Sequence, residues 1–180
     1  MANETQTIVL GGGCFWCTEA VYKEVRGITD VESGYSNGQV ERPSYEQVCT
    51  GTTGHAEVVK LTFDPAQITL RQILEIFFVV HDPTQLHRQG NDVGTQYRSG
   101  IYTTTPEQKQ AADDMIRAMS QEKLFGKPIV TEVQPLANYW PAEPYHQDFF
   151  ERNPHQGYCM AVAAPKVAKF RKTFTELMRR

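Results

Sequence analysis

The chain has 180 residues, 40% of them hydrophobic and 22% charged, which is the composition of a globular protein large enough to bury a core. Its formal net charge of −3 gives no electrostatic case for binding nucleic acid or an anionic membrane. No stretch approaches the roughly 18 apolar residues that cross a bilayer. Because residues 1–4 also lack the pattern of a signal peptide, we expect one cytoplasmic domain over residues 1–180.

The first half of the chain alternates between strand and helix patterns. Hydrophobic periodicity predicts strands over residues 5–10, 28–35, 55–63 and 97–103. Helices are predicted over residues 18–25, with Gly27 just past the end, and between Thr69 and Asp82, with a short helical turn at residues 45–48. At the start of the longer helix, Thr69 and Gln72 have the spacing of a capping box.

The second half predicts a helix beginning at Thr105-Pro106 and ending near residue 123, a strand over residues 129–135, and a loop with a short helix over residues 140–153. Residues 158–163 are short and apolar and are expected to form an ordered strand, followed by a basic helix over residues 166–180. The β-α-β-β-α-β order of the first half predicts an α+β, two-layer sandwich with a ferredoxin-like (split βαβ) core and long loops.

The segment Gly11 to Cys17 (GGGCFWC) joins the first predicted strand to the first predicted helix. Glycines permit a tight turn there, and free N–H groups at a helix N-terminus favour a thiolate. Cys14 and Cys17 fit a thioredoxin-like redox pair, half of a zinc site, a hydrolase nucleophile with a bystander, or two structural cysteines. The neighbouring Phe15 and Trp16 either anchor the helix or form an apolar box beside the thiol.

Five motifs in order resemble the type A peptide methionine sulfoxide reductases. They are Gly13-Cys14-Phe15-Trp16, Gly34-Tyr35, Thr53-Gly54-His55-Ala56-Glu57, Asn91 to Ser99 (NDVGTQYRS), and Ala142 to Gln147 (AEPYHQ). The resemblance implies thiol-dependent reduction of methionine-S-sulfoxide, free or in proteins, as a repair of oxidative damage. It implies no metal and no organic cofactor.

Sulfoxide chemistry assigns a task to several of these residues. The oxygen leaves only when it is protonated, so the reaction needs a thiolate, a proton donor and hydrogen-bond donors. Cys14 supplies the thiolate, and Glu57 supplies the proton if burial raises its pKa. Tyr35 and Tyr97 can donate phenolic hydrogens to the oxygen. Without the resemblance, Glu57 would be read as a solvated strand residue and the tyrosines as packing residues.

The same resemblance assigns substrate binding to four residues. Phe15 and Trp16 would hold the methyl group, and Asp92 and His146 would hold the substrate main chain or organise the pocket. Without the resemblance, Asp92 would be interpreted as a loop cap and His146 as a polar residue beside a helix.

After attack, Cys14 is a sulfenic acid that a second thiol converts to a disulfide, which thioredoxin or a similar dithiol then reduces. Many relatives carry glycine at the position of Cys17 and resolve from a flexible C-terminal tail whose first cysteine matches Cys159. That tail is missing here, so we favour Cys17 over Cys159. A thioredoxin-like dithiol oxidoreductase using Cys14 and Cys17 is the alternative enzyme, and a module that binds methionine without turnover is the non-enzymatic one. A monomer is expected.

Overall fold

The structure is a computed structural model that describes residues 4–179, so expectations for residues 1–3 and Arg180 lie outside it. Its strands are β1 (Gln6–Gly11), β2 (Ile28–Ser36), β3 (Ala56–Phe63), β4 (Arg88–Gln89), β5 (Asp92–Val93), β6 (Gly100–Thr103), β7 (Glu132–Pro135) and β8 (Trp140–Pro141). Its helices are α1 (Phe15–Tyr22), α2 (Tyr45–Cys49), α3 (Leu70–Val80), α4 (Pro106–Gln121), α5 (Phe149–Arg152) and α6 (Ala164–Thr173). Within the described part, no helix is long and apolar enough to cross a membrane.

Six strands form the central sheet in the order β7-β6-β1-β3-β2-β8, and β4 pairs with β5 in a separate hairpin. All pairs in the sheet are antiparallel except β6 with β7. β3 lies between β1 and β2 and is antiparallel to both. The mixed α/β sandwich is thus confirmed, while the ferredoxin-like assignment stays a prediction.

The main hydrophobic core lies between the sheet and α1, α3 and α6. Side chains alternate between the faces of a strand, and β3 shows the consequence. Val59 and Leu61 point into the main core, whereas Ala56 and Val58 join a smaller cluster on the opposite face, beneath Leu136 and Tyr139. Because both faces of β3 are covered, successive residues around position 59 are apolar although they point to opposite faces of the sheet.

Local capping signals determine where two helices begin. Thr69 and Gln72 form the predicted reciprocal capping box at α3. At α4, the Thr105 hydroxyl accepts from the N–H of Gln108, but the Gln108 side chain accepts from Thr104 N instead of the N-cap N–H. The sequence therefore locates this start correctly but not the second half of the box.

The first helix differs from its predicted bounds. It begins at Phe15, directly after Cys14, and ends at Tyr22. Gly27 lies beyond its end and, with a φ of +87°, accepts a hydrogen bond from Asp64 N instead of capping the helix. This earlier start places the first cysteine at the N-cap of α1.

The strand predicted at residues 158–163 is wrong. Cys159–Ala163 form a π-helical turn that continues into α6, which ends at Thr173. Short apolar runs fit either a strand or a buried helix, and packing against α1 decides between them here. Tyr97 also lies outside its predicted strand, because the 3₁₀ turn Thr95–Tyr97 precedes β6.

Candidate active site

Three glycines carry the chain from β1 to the cysteine that precedes α1. Gly13 has a φ of +98°, and a Cβ there would lie 2.8 Å from the Gln89 side chain, so both conformation and space favour glycine. A Cβ on Gly12 would lie 3.2 Å from the Phe77 ring. The turn therefore packs tightly against its neighbours, and Cys14 follows it as the extended N-cap residue of α1.

Glu57 lies on β3, on the face that carries the helices, and is 1% exposed. Its Oε1 accepts a hydrogen bond from Phe15 N at 3.2 Å, while its buried Oε2 has no partner among the described residues. Burial raises the pKa of Glu57 to about 8, against the opposing effect of the bond from Phe15 N. The carboxyl group is therefore largely protonated at neutral pH, as a proton donor must be.

Cys14 is 8% exposed at the start of the same helix. Burial, followed by the hydrogen bond to Cys17 and the charge of Glu57, raises the pKa of the Cys14 thiol well above its usual range. The N–H of Trp16 lowers that pKa, but it does not outweigh burial. The N–H group at the helix N-terminus thus favours the thiolate as expected, while burial has the larger and opposite effect on the pKa of the thiol.

Phe15, Trp16 and His146 form an aromatic wall. Trp16 Nε1 donates to His146 Nδ1 at 2.9 Å, and the Trp16 ring stacks on Phe149 with centroids 3.7 Å apart. The Phe15 ring lies 4.9 Å from the ring of His146. Because Nδ1 accepts, Nε2 of the neutral ring carries the hydrogen, and this buried donor has no partner within residues 4–179.

Tyr35 and Glu143 meet at the edge of this wall. Tyr35 lies opposite Glu57 in the β2–β3 register and is fully buried. Its hydroxyl donates to Glu143 Oε1 at 2.7 Å, and Glu143 Oε2 accepts from Tyr45 N at 2.8 Å. The phenolic hydrogen predicted to meet a sulfoxide oxygen is thus held by a carboxylate in this structure. No motif pointed to Tyr45, whose ring lies 4.4 Å from that of His146.

Tyr97 is half-buried near the two central groups. Burial, and then the charges of Glu57 and Cys14, raise the pKa of its hydroxyl, so Tyr97 stays protonated and able to donate. The loop that carries it is fixed by Arg98, which donates to Gly54 O at 2.8 Å and to Glu132 at 3.0 Å.

Asp92 and Tyr158 form a second polar contact around α1. The Tyr158 hydroxyl donates to Asp92 Oδ2 at 2.5 Å, and the Cys17 thiol donates to the Tyr158 oxygen at 3.5 Å. Asp92 was predicted from its motif, whereas Tyr158 was missed, although it directly precedes Cys159. The structure thus directs one oxygen of Asp92 toward the protein.

All four cysteines are free thiols, and they differ in access. Cys17 is 1% exposed, and the hydrogen bond with Cys14 lowers its pKa. Cys159 is fully buried in the π-helical turn, where burial and the charge of Cys17 raise its pKa. Cys49, at the end of α2, is exposed. Both candidate partners of Cys14 are therefore ordered, and Cys17 is the one in contact with it, since its backbone N–H donates to Cys14 O at 3.1 Å.

Within the described range, no cluster of three or more His, Cys, Asp or Glu side chains is arranged to hold a metal ion. The groups that converge are a thiol, a second thiol, a protonated carboxyl and an aromatic wall. These are the groups that a cysteine-based oxidoreductase uses.

Comparison with known proteins gives the family. The family model described as peptide methionine sulfoxide reductase matches residues 6–178. A protein named peptide methionine sulfoxide reductase MsrA from Saccharolobus solfataricus is 56% identical over 171 residues, covering 95% of this chain and 96% of its own. The protein of the same name from Deinococcus radiodurans is 54% identical over 171 residues, covering 95% and 83% of the two chains.

Solved structures agree with these relatives. Reduced Mxr1 from Saccharomyces cerevisiae superposes with a TM-score of 0.82 at 35% identity, covering 88% of this chain and 91% of its own. Mxr1 in complex with Trx2 superposes with a TM-score of 0.58 at 24% identity, covering 83% and 87%, and this match shows the shared fold. The chain belongs to the peptide methionine sulfoxide reductase family, among the proteins named MsrA.

Proposed function

We propose that this chain reduces methionine-S-sulfoxide, free or in proteins, through a sulfenic acid on Cys14 and an intramolecular disulfide. The observation that carries the proposal is the buried Glu57 carboxyl at the start of the helix that follows Cys14, where Oε1 accepts from Phe15 N and Oε2 has no partner among the described residues. Burial raises its pKa to about 8, which favours a hydrogen on this group at neutral pH. A sulfoxide oxygen is the acceptor that such a hydrogen fits. We also take the chain to be one catalytic domain, monomeric and cytoplasmic.

In the first step, Cys14 attacks the sulfoxide sulfur while Glu57 protonates the oxygen. The Cys14 proton passes to Glu57 as the Cys14 sulfur bonds to the substrate sulfur. The protonated oxygen then moves from the substrate sulfur to the Cys14 sulfur while the sulfur–sulfur bond breaks, so the products are methionine and the Cys14 sulfenic acid. Tyr97 donates to the oxygen. Tyr35 does so after its hydroxyl leaves Glu143. Substrate binding also brings the polar sulfoxide group into contact with the Cys14 thiol, which burial otherwise keeps neutral.

The aromatic wall supports recognition of the rest of the substrate. Phe15 and Trp16 present the apolar surface that a methyl group on sulfur requires. The free Nε2–H of His146 suits a carbonyl of the substrate main chain, since an unpaired buried donor gains most from an acceptor. Asp92 retains one oxygen for a main-chain N–H, as its other oxygen is bonded to Tyr158.

We assign the resolving role to Cys17. Its backbone N–H donates to Cys14 O and it lies one helical turn away, whereas Cys159 is held inside the π-helical turn with burial raising its pKa. A dithiol protein such as thioredoxin would reduce the disulfide, and the yeast relative solved with Trx2 supports this kind of partner.

An assay with separated diastereomers tests the function. With dithiothreitol, we expect turnover of the S epimer by the wild type, none by Cys14→Ser, and wild-type turnover by the control Cys49→Ser. Failure on the S epimer would contradict the proposal. Turnover would exclude a binding module, and a dithiol oxidoreductase would reduce disulfides but not the sulfoxide.

The resolving cysteine needs a separate experiment. Cys17→Ser should release one methionine per enzyme and then stop with thioredoxin as reductant. Full cycling by Cys17→Ser, with loss of cycling in Cys159→Ser, would reverse the assignment.

A further inference from the structure

Cys17 has a proton to lose during disulfide formation, and its surroundings restrict where that proton can go. The side chain is 1% exposed, so bulk water has little access to it. Its thiol donates to the hydroxyl oxygen of Tyr158 at 3.5 Å, within the distance for a sulfur donor. The resolving thiol therefore already points its hydrogen at a protein group.

The Tyr158 hydroxyl in turn donates a hydrogen bond to a carboxylate. Its single hydrogen is donated to Asp92 Oδ2 at 2.5 Å, which leaves its oxygen free to accept from Cys17. The Tyr158 ring is held edge-on against Trp16, with centroids 5.8 Å apart. Positions 17, 92 and 158 come from α1, the β4–β5 hairpin and the segment before α6, so only the tertiary fold aligns them.

We propose that Tyr158 is a catalytic residue of the disulfide-forming step and that it transfers the Cys17 proton to Asp92. The inference rests on the proposed function, because it needs a sulfenic acid on Cys14 and Cys17 as the resolving thiol. The Cys159 thiol has no comparable contact among the described hydrogen bonds, in which only its backbone takes part: its N–H donates to Gln156 and its carbonyl accepts from Ala164 N.

The step balances as follows in atoms and charge. The Cys17 sulfur forms a bond to the Cys14 sulfur, and the Cys14 S–O bond breaks. The Cys17 proton moves to the Tyr158 oxygen as the phenolic proton moves to Asp92. The departing hydroxide takes the proton of Glu57 and leaves as water. Asp92 then releases its proton to solvent, and Glu57 regains one.

Tyr158→Phe removes the hydroxyl and keeps the ring, and Asp92→Asn keeps the shape but cannot accept a proton in the same way. Tyr139→Phe is the matched control, because the Tyr139 hydroxyl also donates to a carboxylate, Glu32 Oε1 at 2.6 Å, away from the site. One equivalent of the S-sulfoxide is added without reductant. Released methionine, dimedone-trapped sulfenic acid and free thiols are followed in quenched samples.

In both site variants, we expect the ratio of the disulfide-formation rate to the methionine-release rate to fall about 100-fold, within the range for general base catalysis. Dimedone should capture the accumulated Cys14 sulfenic acid, and the Tyr139→Phe ratio should match the wild type. A purely structural role would slow both steps together and would not lengthen the life of the sulfenic acid.

The experiment distinguishes failure of this inference from failure of the proposed function. Disulfide formation at the wild-type rate in Tyr158→Phe, or equal slowing of both steps, would overturn this inference alone. If the wild type released no methionine, or if peptide mapping found a disulfide between Cys14 and Cys159, the proposed function or its resolving thiol would fail together with the inference.

Discussion

Replacing Glu57 by Gln removes the transferable proton and keeps the size and shape of the side chain. Gln keeps the size and still offers an oxygen to Phe15 N, the group that Glu57 binds at 3.2 Å. It cannot protonate the sulfoxide oxygen. A positioned proton donor contributes roughly 10²- to 10⁴-fold, so the rate of methionine release should fall by that factor, equivalent to about 3 to 5 kcal/mol of barrier.

The same substitution has the opposite effect on stability. Burial raises the pKa of Glu57 from 4.5 to about 8, and at about 1.4 kcal/mol per unit its ionisation costs the fold up to about 5 kcal/mol. Between these two pKa values the native state binds more protons than the unfolded state, so the free energy of unfolding falls as pH rises. Glu57→Gln should therefore gain stability over the wild type at about pH 9 and little at about pH 3.5, each roughly one unit beyond this window.

Two measurements check this reasoning. Single-turnover methionine release by the wild type should decline above pH about 8, as the acid form of Glu57 is lost. Urea unfolding of both proteins gives the stability difference. Glu19→Gln is the control, because burial raises the pKa of Glu19 to about 7 while its carboxylate binds the Ser33 hydroxyl outside the site. If Glu57→Gln releases methionine within about threefold of the wild type, Glu57 is not the proton donor.

Three further outcomes are expected. Trp16→Phe loses the hydrogen bond to His146, worth about 1.5 kcal/mol, and should raise KM about tenfold; an unchanged KM in steady-state assays would contradict this. Gly38→Ala places a Cβ 2.4 Å from the His55 backbone nitrogen and should destabilise the fold by about 1 to 3 kcal/mol; urea unfolding at wild-type stability would refute it. Iodoacetamide should label exposed Cys49 first, and peptide mapping that finds a buried thiol labelled earlier would disprove that order.

Local sequence signals were enough to predict much of the fold. They failed where tertiary contacts determine which secondary structure forms. The capping box of Thr69 and Gln72 is complete within four residues, and the sequence located it correctly. Residues 158–163 contain no such signal. Their apolar character suits a strand as well as a helix, and contact with α1, more than 130 positions away, determines the outcome.

The site shows the same division. The motifs identified Cys14 and Glu57, and the structure confirms that Glu57 is buried. The sequence did not reveal Tyr158, because its partner Asp92 lies 66 positions away. It predicted that N–H groups at the helix start lower the pKa of Cys14, but not that burial raises this pKa by more. The helix start is a local feature that can be inferred from the sequence, whereas burial by the surrounding elements is a property of the whole fold.

The raised pKa of Cys14 has a consequence for survival under oxidative stress. An enzyme that repairs oxidised methionine works where peroxide is abundant, and peroxide consumes thiolates far faster than thiols. A nucleophile that is buried and neutral until a sulfoxide arrives avoids this competing reaction. In the proposed reaction, burial would thus keep Cys14 unreactive toward peroxide until a sulfoxide occupies the pocket.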